Sequence, residues 1–210
     1  MTLRMQQYQS GTNALKWHSG AFASVNSNGY GRTWMYPYAE IRMKIGESDT
    51  GNVRGIWPAF WLKSLNFYTN RSETNLEYDI YEGYGSSGNP SQHHAAIHNW
   101  AAARLIPGRL ASDRETSNVY GLERQGTAQW HEDINLFDGA YHTYATKVTP
   151  EWVINYFDGR EMHRFPTPVE MKQPLWLLVD LAMKHASEAS GKYDLTIDYI
   201  RVFQNPANGP

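Results

Sequence analysis

Cysteine is absent from the 210 residues. Without a thiol there is no disulfide, no thiolate-held zinc or iron–sulfur centre and no cysteine nucleophile. An excess of either charge is lacking too: 19 Lys+Arg stand against 21 Asp+Glu, a formal net charge of −2. Proteins that bind nucleic acid or anionic lipid need a concentrated basic surface, so neither is the expected partner. No apolar run approaches the ~18 residues that span a bilayer. Met1 opens no basic-then-apolar leader. That leaves two readings, a protein kept inside the cell or the mature segment of an exported one. Helical periodicity is nearly missing as well.

Aromatic residues are abundant: 8 Trp, 14 Tyr and 7 Phe make 14% of the chain, against 19% charged residues. That balance suits a β-rich chain with a surface that stacks flat, weakly charged ligands. Strand signals recur along the sequence. Thr2 to Gln9 alternates, and in Tyr38 to Ile45 the apolar Ala39, Ile41, Met43 and Ile45 alternate with Tyr38, Glu40, Arg42 and Lys44. Ile56 to Leu62 is aromatic and almost uncharged, as in a strand covered on both faces. Trp152 to Phe157, the turn Asp158-Gly159 and Arg160 to Phe165 predict a hairpin. Leu175 to Met183 predicts a central strand and Asp194 to Phe203 a closing one. The polar stretches 63–75 and 101–139 are expected loops. With no repeat and no linker, residues 1–210 are expected to form a single all-β domain, a sandwich or a barrel.

The chemistry concentrates in residues 76–82, L-E-Y-D-I-Y-E. On a strand Glu77 and Asp79 share a face, while Leu76, Tyr78 and Ile80 point to the core. Strict alternation would bury Glu82 among apolar neighbours, at high cost for an unpaired carboxylate. A β-bulge near Ile80-Tyr81 removes the conflict and returns Glu82 to the acidic face. The two Glu carboxyls then come within reach of the ~5–5.5 Å separation of a retaining glycosidase. Crowded carboxylates raise one another's pKa, so that one can stay protonated while another is ionised, and Asp79 is placed to hydrogen-bond one Glu. A solvated acidic edge or a Ca²⁺-holding cluster is the plainer reading of the same spacing. Trp57, Trp61, Tyr68, Tyr81, Tyr84 and Trp100 surround the triplet in sequence.

E-Y-D-I-Y-E followed by G-Y-G resembles the E-x-D-x-x-E signature of glycoside hydrolase family 16, the group of laminarinases, lichenases, agarases and κ-carrageenases. G-I-W-P-A-F-W-L (55–62) is similar to the family's strand before the catalytic one. Y-H-T-Y-A (141–145) with T-P-E-W-V-I-N-Y-F-D-G (149–159) resembles its hairpin, and I-D-Y-I-R-V-F-Q (197–204) its closing strand. The resemblance implies a concanavalin-like jelly-roll sandwich of two antiparallel sheets, with a cleft on the concave sheet. It also implies retaining endo-hydrolysis of a β-linked polysaccharide, by a monomer that is secreted or periplasmic. By position, Glu77 is the implied nucleophile, Glu82 the general acid and base, and Asp79 the auxiliary acid. His98 is implied beside Asp79, and Trp57, Trp61, Tyr84 and Trp100 are the implied sugar-binding residues. Trp57 and Trp61 have a second reading, packing between the sheets.

The chain also departs from the family. Tyr78 stands where Ile or Leu is usual, and the segment before the triplet lacks the Trp-Pro pair common in laminarinases. In V-D-L-A-M-K-H (179–185), Asp180 replaces a frequent Asn. The family's first strand is expected to be missing before Met1. No cofactor is required by the resemblance; the structural calcium of some members uses that missing region and an Asp like Asp198. His93, His94 and His98 read as loop and strand histidines rather than a metal site. Asn70-Arg71-Ser72 fits a glycosylation triplet. Arg104, Arg109, Arg114 and Arg124 are solvated loop residues or, alternatively, subsites for an anionic glycan. Two further readings stay open: a non-catalytic carbohydrate-binding sandwich, and a transglycosylase using the same residues.

Overall fold

The computed structural model describes residues 1–9, 15–48, 53–65, 76–83, 93–99, 138–184, 186–187, 189 and 191–208. Among them the regular structure is β-strand, apart from 3₁₀ turns at Val169–Met171 and Pro206–Asn208. The strands are β1 (Thr2–Gln9), β2 (Leu15–His18), β3 (Gly20–Ala23), β4 (Tyr38–Ser48), β5 (Ile56–Ser64), β6 (Leu76–Glu82), β7 (His94–Asn99), β8 (Tyr141–Val148), β9 (Trp152–Phe157), β10 (Arg160–Pro166), β11 (Leu175–Met183) and β12 (Lys192–Phe203). They form a seven-stranded sheet, ordered β10-β9-β8-β4-β12-β1-β2, and a five-stranded sheet, ordered β3-β11-β5-β6-β7. Every pairing is antiparallel. No helix among the described residues is long and apolar enough to cross a membrane.

Alternation decides which residues make the core. Ala39, Ile41, Met43 and Ile45 of β4 are all buried. They face Ile56, Phe60 and Leu62 of β5, Leu76, Tyr78 and Ile80 of β6, and Leu175, Leu177, Val179 and Leu181 of β11 in one apolar cluster. Burying such aliphatic side chains contributes about 1.5–3 kcal/mol each, the main term that holds the two sheets together. The hairpin β9–β10 turns at Asp158 and Gly159, both with positive φ (46° and 75°), the conformation that matches the twist of the flanking strands. Asp158 Oδ1 caps the turn by accepting from the Thr143 amide at 2.8 Å.

β11 lies between β3 and β5, an interior strand as its apolar run predicts. Lys63 and Ser64, expected to open a loop, instead continue β5. Ser64 is buried, its Oγ accepts from the Leu76 amide at 3.1 Å, and this ties the end of β5 to the start of β6. Of the expected loops 63–75 and 101–139, residues 66–75 and 101–137 lie outside the described residues, as do Asn70 and the four loop arginines.

Ile41 is fully buried at the centre of the sandwich. Ile41→Ala should cost about 2–5 kcal/mol. The expected result in urea is a lower midpoint with an unchanged slope, since the surface exposed on unfolding stays nearly the same.

Candidate active site

The face of the five-stranded sheet that points away from the seven-stranded sheet carries the acids. Between Asp79 and Glu82, β6 carries one residue more than the stretches of β5 and β7 that it pairs with. Trp61 of β5 pairs with Asp79 and Phe60 with Tyr81, so Ile80 is left between them without a partner in register. Against β7 the same shift falls between Asp79, opposite Ala96, and Glu82, opposite His94. The inserted residue lets Ile80 and Tyr81 both enter the core, and parity resumes with Glu82 on the outer face. Directly after the strand comes Gly83, whose amide donates to the Pro58 carbonyl at 3.0 Å. A Cβ there would stand 2.2 Å from Tyr81 Oη.

Register then arranges the outer face in transverse rows. Trp176, Lys63, Glu77 and His98 align across β11, β5, β6 and β7. Leu178, Trp61, Asp79 and Ala96 form the next row, and Asp180, Ala59 and Glu82 the third. Each acid is held by a neighbour. Lys63 Nζ donates to Glu77 Oε2 at 2.8 Å, with both side chains largely buried. Asp79 Oδ2 lies 3.2 Å from His98 Nε2. Trp57 Nε1 donates to Glu82 Oε1, and Trp61 Nε1 to Asp180 Oδ1, each at 2.8 Å. Two cations sit over the indole faces, Lys184 at 5.2 Å from Trp57 and Lys63 at 5.4 Å from Trp61.

On this partly dry face, burial and neighbouring charge raise the pKa of two of the carboxyls. Burial pushes the Asp79 carboxyl up to about 6; the hydrogen bond from His98 opposes this and the charge of Glu77 adds to it. Burial works against the His98 imidazolium, yet its pKa is raised, because Asp79 accepts from it and Asp79, Glu77 and Glu82 are all negative. Asp180 is likewise pushed up to about 6, first by burial and then by the charges of Glu82 and Glu77, against the Trp61 hydrogen bond. This is a strip able to hold and release protons near neutral pH. One carboxylate oxygen each from Glu77 and Asp79 and a ring nitrogen of His98 lie within 4.8 Å of one another, a donor set that could hold a divalent cation. The Lys63 ammonium already neutralises Glu77 there, so a cation would compete with it.

No protein-family model matches the chain. Two curated relatives from Rhizobium meliloti (strain 1021) do. The endo-1,3-1,4-beta-glycanase ExsH is 26% identical over 207 residues, covering 95% of this chain and 36% of that protein. The endo-1,3-1,4-beta-glycanase EglC is 24% identical over 208 residues, covering 97% of this chain and 37% of that protein. The chain therefore spans little more than a third of the length of these relatives. Among solved structures, a family 16 endo-glucanase from Bacteroides ovatus superposes with a TM-score of 0.66 at 20% identity, over 96% of this chain and 80% of that one. The catalytic domain of an endo-1,3-beta-glucanase (laminarinase) from Thermotoga petrophila RKU-1 gives 0.66 at 16% identity, over 98% and 77%. The chain has the fold of glycoside hydrolase family 16 and resembles that family in sequence.

Of the residues that resemblance singles out, Glu77, Asp79, Glu82, Trp57, Trp61 and His98 all lie on this one face. Trp57 and Trp61 do not pack between the sheets. Tyr84 and Trp100 lie outside the described residues. Asp79 hydrogen-bonds His98 rather than a Glu, because an imidazolium across β7 is a better partner for a carboxylate than another carboxylate. Sequence reasoning missed Lys63 and Lys184. The signal for Lys63 was parity: it follows Trp57, Ala59 and Trp61 on alternate positions, once β5 is carried two residues further. Asp198 of β12 pairs with Arg42 at 2.6 Å, on the other sheet.

Asp180 supplies a pH test. Its native carboxyl, near 6, holds a proton more tightly than the ordinary value of 3.8 in an unfolded chain. The native state therefore binds more protons, and stability falls as pH rises from about 4 through 6. Asp180→Asn keeps an acceptor for Trp61 and removes the titration. The loss of stability between pH 4 and 7 should shrink by on the order of 1–2 kcal/mol, measured by urea unfolding at both pH values.

Proposed function

We propose that this chain is the catalytic sandwich of a retaining endo-β-glycanase. Its substrate is a polysaccharide with β-1,3 or β-1,4 linkages, the class in the names of the two rhizobial relatives. The observation that carries the reading is the residue inserted at Ile80, which sets Glu77, Asp79 and Glu82 on one outer face. A binding module has no need of that arrangement. Two carboxyls flanking a glycosidic bond are what double displacement requires.

Glu77 attacks the anomeric carbon and forms the glycosyl-enzyme, while the Lys63 ammonium fixes its Oε2. Glu82 gives its proton to the departing glycosidic oxygen. The Trp57 N–H donates to Oε1, so in the acid form the proton sits on Oε2. Glu82 then takes a proton from water as that water attacks the same carbon and releases Glu77. Asp79, paired with His98, stands between them as a partner whose charge responds to the state of Glu77. The Trp57 and Trp61 rings, their N–H groups tied down, offer fixed flat surfaces for pyranose faces.

A 2-deoxy-2-fluoro dinitrophenyl β-glycoside of a gluco-oligosaccharide should label the protein, and peptide mapping should place the sugar on Glu77. Glu77→Gln should fold, take no label and lose essentially all turnover. Asp79→Asn should lower kcat less than either Glu substitution. NMR of the first-formed product should give the β anomer; an α product would sink the mechanism.

A further inference from the structure

The side of β6 that faces the core raises a second question. A bulge takes the inserted residue out of the ladder, and Ile80 has no partner in register on β5 or β7. Its carbonyl must be satisfied elsewhere, because an unpaired buried carbonyl costs about 1–3 kcal/mol. His93, just before β7, meets it with Nε2 at 2.8 Å, and Asn155 Nδ2 donates to it at 3.4 Å. Asn155 belongs to β9, in the other sheet.

An Asn at that position is unusual in itself. Along β9 the inward residues are Val153, Asn155 and Phe157, and Asn155 is fully buried. It is neither on the outer face nor part of the acidic strip. Its amide orientation is fixed by chemistry: the Ile80 carbonyl only accepts, so nitrogen faces Ile80 and Oδ1 accepts from the Tyr78 hydroxyl. Tyr78 also lies 3.1 Å from Thr146 Oγ1 of β8, which donates to the Ile154 carbonyl at 3.2 Å. One side chain of the seven-stranded sheet thus grips β6 on both sides of Asp79, at the Tyr78 hydroxyl and at the Ile80 carbonyl. His93 is itself wedged edge-on against Tyr81 and Tyr144, at 5.0 and 5.8 Å between ring centres.

We propose that Asn155 and His93 are positioning residues: by holding the carbonyl of Ile80 they fix the bulge that aims Glu82 at the leaving oxygen. This rests on the assignment of Glu82 as acid and base. If the carbonyl is released, the inserted residue can relax along the strand and Glu82 loses its aim. Glu77, N-terminal to the bulge and held by Lys63, keeps its place.

The test separates acid catalysis from nucleophilic attack. In the full chain, Asn155→Leu is assayed on unactivated β-glucan and on the 2,4-dinitrophenyl β-glycoside of a gluco-oligosaccharide, whose leaving group needs no proton. Glu82→Ala and Thr146→Val are assayed alongside. On β-glucan, kcat for Asn155→Leu should fall about 100-fold or more with KM nearly unchanged, the range of lost general-acid catalysis. On the activated glycoside it should keep the wild-type burst of dinitrophenolate, then turn over slowly because Glu82 also activates water. Azide should relieve the slow phase. Thr146→Val also cuts the buried network, and should lower the melting temperature while keeping the wild-type ratio of the two activities. If Asn155→Leu does not fold, His93→Leu reads the same carbonyl, and His93→Gln should restore activity by returning an N–H donor. A folded variant of either residue with the wild-type activity ratio overturns the proposal and leaves the assignment of Glu82 intact. If Glu82→Ala itself lacks the leaving-group dependence, that assignment fails and the positioning role falls with it.

Discussion

Side chains on an extended strand alternate, and a carboxylate cannot be left alone in an apolar interior. Between Glu77 and Glu82 these two constraints conflict, and the surplus residue at Ile80 reconciles them. The outer face depends on it. With Glu82 turned outward, Trp57 has a carboxylate to meet, the third transverse row lines up Asp180 with Glu82 across Ala59, and Ile80 and Tyr81 complete the inner layer. The insertion also leaves a carbonyl to satisfy, and His93 beside β7 and Asn155 of the opposite sheet meet it together.

The outer face is built from strands far apart in sequence, yet its electrostatics are those of one compact object. Glu77 and Glu82 both press on Asp180, two strands away, and both press on His98, one strand away on the other side. Lys63 and Lys184 set positive charge against this from the indole side of the face. A glycan lying across the strands would meet flat aromatic surface and perturbed carboxyls within a few residues of register.

Much of the architecture was legible because strand periodicity is a local signal. β4 and the β9–β10 hairpin follow from alternation and from Asp158-Gly159, and the bulge followed from an energetic argument about Glu82 alone. The order of strands in each sheet was not legible, because pairing partners are set by packing across the whole sandwich. Short strands such as β2 and β3 carry too few residues to display a period. Lys63 was misread because a charged residue after an aromatic run looks like the start of a loop, when it is the ion partner of Glu77. Asn155 was invisible as a functional residue: in sequence it is one polar position in a hairpin, and only the crossing of the two sheets brings it to Ile80.

A surplus residue that sets side-chain parity is sensitive to changes of length in a way that it is not to substitution. Exchanging an amino acid within 76–82 alters one group and leaves every other side chain on its own side. Deleting or adding a single codon there inverts the facing of everything downstream until the chain reaches Gly83, where the tight approach of Tyr81 and Pro58 leaves no slack to absorb the shift. Lineages carrying this segment are therefore expected to vary freely in the lengths of their surface connections while holding the seven-residue spacing of β6 constant.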